Sequence, residues 1–304
     1  MGHASERGAL WAWLALFLVA AGGCARAREA SRGKPVIAVS IFPLASLVEQ
    51  LTGDWAEVVT LLPASASPHN PSFTPDQLRA VARADVLIVV GMGLDPWAEK
   101  AATAAESPPV LRFSDLIGGE ANKSDPPRNN HLWLDPVLTI EFVEALSARL
   151  KERYPDHAAG IQSAAERLLA DLRRLDREYA EQFAAVPRKD LITFHNAFDL
   201  IAERYHLNIL VRLTDIETSP GGEVTPDKIR EALEAITKFK LKVLYAETEF
   251  PDQAIRRLRD ETADETSVDV LLLDPQGNPA VEGYRTYQQM MRSNLKTLVK
   301  GQSE

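Results

Sequence analysis

Hydrophobic residues change their period repeatedly along the chain, and each change marks an element. Residues 35–42, PVIAVSIF, are rich in β-branched side chains and bounded by Pro35 and Pro43, which predicts a strand. PLASLVEQLTG then carries apolar residues at helical spacing and stops at Gly53. AEVVTLLP reads as a second strand closed by Pro63, and ASASPHNPSF after it has no period and reads as a loop. In TPDQLRAVARA, Thr74 is placed to cap a helix whose first position is Pro75, and VLIVVG follows as a strand buried on both faces. Residues around 101–130 are poor in pattern and rich in Pro, Asn and Ser, which predicts surface loops. A helix over 137–153 ends before Pro155. Ile161, Leu168, Leu169, Leu172, Leu175, Tyr179 and Phe183 then recur at threes and fours with no Gly or Pro after Gly160, so they belong to one long helix.

After Pro187 the alternation resumes: strand DLITF, helix NAFDLIAERY, strand LNILVRL, helix TPDKIREALEAITKF, strand KVLYAE, helix PDQAIRRLRDET, strand VDVLLLD and a closing helix in GYRTYQQMMRSNLKTLVK. The pattern predicts an α/β fold of two lobes with parallel-type sheets flanked by helices, bridged by one long central helix. The N-terminal lobe takes residues 35–156, the linking helix 157–186 and the C-terminal lobe 187–304. A weak internal echo, TPDQLRAVARADVLIVVG against TPDKIREALEAITKFKLKVLYAE, relates the two lobes. GMGLDP fails the dinucleotide fingerprint because Pro96 stands where the third Gly belongs.

The first residues obey another logic. Residues 10–21, LWAWLALFLVAA, form an unbroken apolar run too short for a permanent membrane helix and suited to a signal-peptide core, with Arg7 as its positive flank. The run ends in AGGC, which resembles a bacterial lipobox with Ala21 in place of the usual Leu. Residues 1–23 are therefore expected to be a signal peptide, Cys24 the lipidated mature N-terminus that anchors the chain to a bilayer, and residues 24–34 a tether. The expected location is the periplasm or the cell surface.

Composition narrows the chemistry. Across 304 residues, 34 Lys and Arg stand against 43 Asp and Glu, a formal charge of −9 that argues against a nucleic-acid surface. The 45% hydrophobic content is that of a folded protein. A single Cys excludes an internal disulfide and any cysteine-rich metal knot, so a bound metal must use His and carboxylate.

Five of the six histidines lie beyond the leader, and three of them fall in loops or at strand ends in both lobes. His69 follows the second strand between Pro68 and Pro71, which stiffen its backbone. His131 lies in NNHLWLDP just ahead of a helix capped by Asp135, and His195 ends DLITF. Asp274 ends VDVLLLD, and ligands of open parallel sheets bind outside such carboxyl ends. His157 reads as a surface residue before the long helix, and His206 as a helix-terminal imidazole suited to the dipole.

SPHNPSFTPDQLRAVARADVLIVVGMGLDPW, NNHLWLDP, FHNAFDLIAERYHL and LLLDPQG, followed by GYRTYQQMMRSNLKTL, together resemble the successive motifs of the TroA-like zinc and manganese solute-binding proteins of bacterial ABC importers, over residues 35–300. The resemblance implies the metal-type solute-binding protein fold and one metal in the cleft between lobes. It also implies delivery to a membrane permease with its ATPase subunit. It assigns His69, His131, His195 and Asp274 as the ligands. Manganese-type relatives generally carry Glu where this chain has His195, and three imidazoles with one carboxylate suit Zn(II) better than Mn(II) or Fe(II). Glu247, ending KVLYAE, matches an acidic position near the cleft, either orienting a ligand imidazole or forming an ordinary strand-end salt bridge.

Two departures stand out. The His-rich loop of many zinc-type relatives is replaced by GGEANKSDPPRNN, and His206 stands where relatives often have Gly. Binding is expected to weaken as pH falls through the histidine range near ~6.5. The competing readings are a zinc hydrolase, for which no HExxH or GxSxG is present, and an adhesin-type lipoprotein. The expected state is a monomer.

Overall fold

The computed structural model describes residues 33–64, 66–69, 71, 74–104, 108–118, 129–215, 222–250, 253–262 and 267–303. The expected signal peptide, Cys24, nearly all of the expected tether and most of the GGEANKSDPPRNN segment lie outside the described residues. Among those described, no helix is long and apolar enough to cross a membrane.

Four short parallel strands form the first sheet in the order β2-β1-β3-β4: β1 is Val36–Val39, β2 Glu57–Thr60, β3 Val86–Val89 and β4 Val110–Arg112. The helices between them are α1 (Phe42–Thr52), α2 (Pro75–Arg83), α3 (Pro96–Ala104) and α4 (Phe113–Leu116). Strand β3, VLIV, is buried at every position, as an all-apolar central strand covered on both faces must be. Thr74 caps α2 through a capping box: its hydroxyl accepts from Gln77 N at 3.3 Å, and Gln77 Oε1 accepts from Thr74 N at 2.7 Å. Gln77 also donates to the carbonyl of Leu61, tying α2 to the strand end from which the His69 loop departs.

The region expected to be surface loops is partly regular. α3, β4 and α4 lie within or beside residues 101–130, and β4 pairs with β3 from Leu87↔Val110 to Val89↔Arg112. Three residues after Pro108 and Pro109 are too few to display a period, and β4 gains its partner only from the sheet edge. Arg112 is held by Glu99 at 2.7 Å, and the fully buried ring of Phe113 stacks on Phe142 at 4.2 Å.

Asp135 caps α5 (Pro136–Arg153), accepting from the amides of Val137 and Leu138. α6 (Ala158–Ala185) is the long helix, 28 residues with a buried stripe of Ile161, Ala165, Leu168, Leu172, Leu175, Tyr179 and Phe183. That stripe packs against α5, α1 and the last helix, α10 (Tyr287–Ser303), and Tyr179 donates to the carbonyl of Met291 at 2.7 Å.

The C-terminal half builds two parallel pairs. β5 (Asp190–Thr193) pairs with β6 (Asn208–Arg212), and β7 (Val243–Glu247) with β8 (Asp269–Leu273); β5 runs beside β7. α7 (Asp199–Arg204), α8 (Pro226–Phe239) and α9 (Gln253–Thr262) connect them. Thr225 caps α8 by accepting from Lys228 N at 3.3 Å, the counterpart of Thr74 on α2. Residues Val36–Glu304 pack as one unit, and one apolar cluster runs from Ile37 through the α6 stripe to Leu298. Polar ties cross the two halves as well. Trp133 Nε1 donates to Pro275 O at 2.7 Å, Tyr287 Oη to Trp133 O at 2.7 Å, and Arg204 forks onto Asp135 at 2.6 and 2.7 Å. Gly277, at φ 71°, turns so close to Phe42 that a Cβ would stand 3.0 Å from that ring.

Candidate metal centre

Three segments far apart in sequence deliver one imidazole each. His69 sits in the turn after β2, its N–H donating to Ser67 Oγ at 3.3 Å. His131 precedes the short 3-10 turn Leu132–Leu134 that leads to the Asp135 cap, and is 1% exposed. His195 follows β5 and is fully buried. Their ligand nitrogens all lie within 4.8 Å of one another. His131 Nε2 stands 3.1 Å from His69 Nε2 and 3.0 Å from His195 Nε2. Trp133 and Phe250 wall the cluster, with ring centroids 5.2 Å from those of His131 and His195.

What lies behind the rings fixes which nitrogen is bare. Nδ1 of His131 faces Asn129 Oδ1 at 2.9 Å, and Nδ1 of His195 meets Glu247 Oε2 in a close ion-pair contact. Both partners are acceptors, so both Nδ1 atoms carry hydrogen and both Nε2 lone pairs point inward. Nε2 atoms facing each other about 3 Å apart need a proton or a metal cation between them.

Burial, and then the neighbouring His195, press the pKa of His69 down to about 3 and that of His131 well below its ordinary value. Burial also acts against a charged His195, but the Glu247 carboxylate, by charge and hydrogen bond, raises its pKa overall. Two rings are thus neutral nitrogen donors at physiological pH, and the third keeps its proton to higher pH than a free imidazole does.

The carboxylates divide. Glu247 is 2% exposed, and its Oε1 accepts from the backbone N–H of His195 at 3.1 Å while Oε2 meets the ring, so it grips that residue twice. Asp274 stands after β8, and its recorded partners all use Oδ1: Thr248 Oγ1 at 3.1 Å, Gln276 N at 3.0 Å and Gly277 N at 2.8 Å. Among the described residues the three histidines form the convergent group, and Asp274 lies outside it. Asn294 fixes the Asp274 backbone from both sides, at 2.9 and 2.7 Å.

Sequence reasoning missed two residues here. Glu249 is enclosed near Gln276 and Ser67, its carboxylate oxygens lacking a hydrogen bond of ordinary geometry, and burial pushes its pKa up to about 7 against the opposing pull of His195. Its position two residues past Glu247 at the same strand end was the available signal. Asn129 is buried beneath His131, and nothing in the sequence separates it from Asn130 beside it.

The family model described as ZnuA, zinc-uptake complex component A, periplasmic, matches residues 37–301. The zinc-binding lipoprotein AdcA of Streptococcus pneumoniae is 27% identical over 302 residues, covering 93% of this chain and 58% of AdcA, so the chain spans under two thirds of that relative. The manganese-binding lipoprotein MntA of Halalkalibacterium halodurans is 25% identical over 274 residues, 88% of each protein. The solved periplasmic zinc-binding protein TroA of Treponema pallidum shares the fold with a TM-score of 0.82 at 21% identity, covering 90% of this chain and 100% of its own.

Proposed function

The chain belongs to the ZnuA family of periplasmic zinc-uptake components, and on that premise we propose that it captures one Zn(II) with His69, His131 and His195 and passes it to an ABC permease driven by an ATPase subunit. The observation that carries this reading is the meeting of three imidazoles from three separate segments, two of them turned with Nε2 inward by acceptors behind the rings. Neutral imidazoles in that arrangement suit a four-coordinate d¹⁰ ion that favours nitrogen.

Asp274 supplies the fourth ligand in this proposal. Its Oδ1 is engaged by backbone amides, which leaves Oδ2 for the metal. Glu247 orients His195 and raises its basicity without touching the ion. The family is a transport component rather than an enzyme, and a shell closed by Asp274 leaves no coordinated water to activate.

Export by residues 1–23 and lipid anchoring through Cys24 complete the reading, supported by the lipoprotein names of AdcA and MntA. Manganese is the second reading, because MntA matches over 88% of both chains. Zinc titration against a competing chelator tests the proposal, followed by metal analysis after competition with Mn(II). One zinc per chain, retained over manganese, is expected. Retention of Mn(II) over Zn(II) reverses the choice of metal, and no binding of either ends the transport reading.

A further inference from the structure

Asn129 lies 5% exposed beneath the metal cluster and makes three hydrogen bonds. Its Oδ1 accepts from the backbone N–H of His131 at 2.8 Å and faces the ring Nδ1 of the same residue at 2.9 Å. Its Nδ2 donates to the backbone carbonyl of Asn196 at 2.6 Å, and Asn196 immediately follows His195.

The orientation of this amide is fixed by partners that admit no ambiguity. A backbone N–H can only donate and a backbone carbonyl can only accept, so the oxygen must face His131 and the nitrogen must face Asn196. With an acceptor oxygen against it, Nδ1 of His131 must carry the hydrogen, and Nε2 is left as the lone pair aimed at the cluster. One side chain therefore sets the tautomer of the second histidine and ties its loop to the segment bearing the third.

Only an amide does both. A carboxylate keeps the acceptor toward Nδ1 but presents an anion to the Asn196 carbonyl, and an alanine keeps neither contact. The two deeply buried histidines are thus supported differently: His195 by the charged Glu247, His131 by a neutral group that spans the two halves of the fold. Because the partner is neutral, His131 gains orientation without a charge placed behind its ring.

We infer that Asn129 is a positioning residue of the metal site, setting the Nδ1–H tautomer of His131 and strapping its loop to the His195 segment, so that it governs both how tightly zinc is held and how fast it leaves. The inference rests on the zinc-capture reading for its second part alone. The tautomer and the strap are properties of the metal-free protein.

The test compares the parent with Asn129→Ala and Asn129→Asp. Nitrogen-resolved NMR of the imidazoles in metal-free protein reads the tautomer of His131, and zinc competition with stopped-flow release into chelator reads affinity and off-rate. Asn129→Ala is expected to mix the two His131 tautomers and weaken zinc by roughly ten- to a hundredfold, the range seen when a partner behind a ligand is lost. Asn129→Asp is expected to keep the Nδ1–H tautomer yet release zinc several-fold faster, because the strap to Asn196 is gone. An unmixed tautomer in Asn129→Ala, or zinc affinity and release within twofold of the parent in both variants, overturns the inference. If Asn129→Ala does not fold, release from Asn129→Asp decides alone: faster release supports the strap and an unchanged rate overturns it. A parent chain that binds no zinc refutes the transport reading, while the NMR comparison still judges the tautomer.

Discussion

His69 and His195 point at the same place from opposite footings. His195 follows a largely buried strand, is itself fully buried, and is gripped at backbone and ring by one carboxylate. His69 sits part-buried in a turn between Pro68 and Pro71, its hydrogen bonds reaching Ser67 and the neighbouring ligand His131. The difference teaches that this site has a fixed wall and an adjustable one. The C-terminal half holds its imidazole from two sides, and the N-terminal loop offers one that is less constrained, which on the proposed reading makes His69 the more adaptable ligand.

The largest expected effect breaks that contrast directly. His195→Ala removes an inner ligand and leaves Glu247 buried without its partner, so it is expected to lower zinc affinity by roughly a hundred- to a thousandfold and to cost about 3 kcal/mol of folding stability. His69→Ala is expected to weaken zinc by about tenfold and to change stability by under ~1 kcal/mol, since it leaves no buried charge without a partner. Chelator competition and urea unfolding of the metal-free proteins check both values. Equal stability losses in the two variants would erase the distinction between the walls.

Glu247→Gln sharpens the same comparison at smaller amplitude. Losing the charge behind His195 makes the ring a poorer donor, and zinc affinity at neutral pH is expected to drop by roughly tenfold. The pH profile should move the other way. The carboxylate is what holds the His195 pKa up, so its removal lets the ring shed its proton at lower pH, and the acid limb of zinc binding shifts downward. A variant whose affinity and acid limb both match the parent would mean that Glu247 serves only to pack the strand end.

Protons counted during binding test the fixed wall more finely. His69, at about 3, and His131, lower than its ordinary value, carry no proton near neutrality, whereas His195 is raised and Glu249 sits at about 7. Affinity therefore falls as pH drops through the raised pKa of His195, and the two depressed rings contribute no loss until strongly acid conditions. Calorimetry in buffers of different ionisation enthalpy should show that the protons released on zinc binding come from the His195 pocket, so that the count near neutrality stays well under three. His69→Ala should leave that count unchanged and Glu247→Gln should lower it.

The parts legible in sequence are those where local pattern and function coincide. The α6 stripe is a run of helical spacing long enough to identify alone, and the Thr-Pro-Asp signals at Thr74 and Thr225 mark true caps in both halves. His69, His131 and His195 stood out only jointly, as three of five histidines beyond the leader placed in loops or at strand ends of both halves, and the family resemblance is what assigned them as ligands. β4 escaped because three residues show no period. Asn129 and Glu249 escaped because their meaning lies in partners far along the chain, Asn196 for the first and the His195 pocket for the second, and no local signal encodes such a pairing. Asp274 stands outside the convergent group with its Oδ1 engaged by the amides of Gln276 and Gly277, a local arrangement that its place at a strand end does not reveal.

The smallest effect lies behind the fixed wall, where α7 ends. His206 is exposed and adopts φ 58°, the left-handed conformation that follows a helix and that glycine takes without strain. The turn is otherwise well made, with Tyr205 N bonded to Ile201 O at 3.0 Å and Leu207 N to Ala202 O at 2.8 Å. His206→Gly relieves the Cβ contact that an L residue suffers there, at roughly 1 kcal/mol, and gives back part of that gain through the freer unfolded chain. A net stabilisation of about 0.5 kcal/mol is expected in urea unfolding, with zinc affinity unchanged because the hydrogen bonds that hold His195 come from β7 and not from α7. A parallel change in zinc affinity would show that the wall borrows its rigidity from this helix end rather than from Glu247.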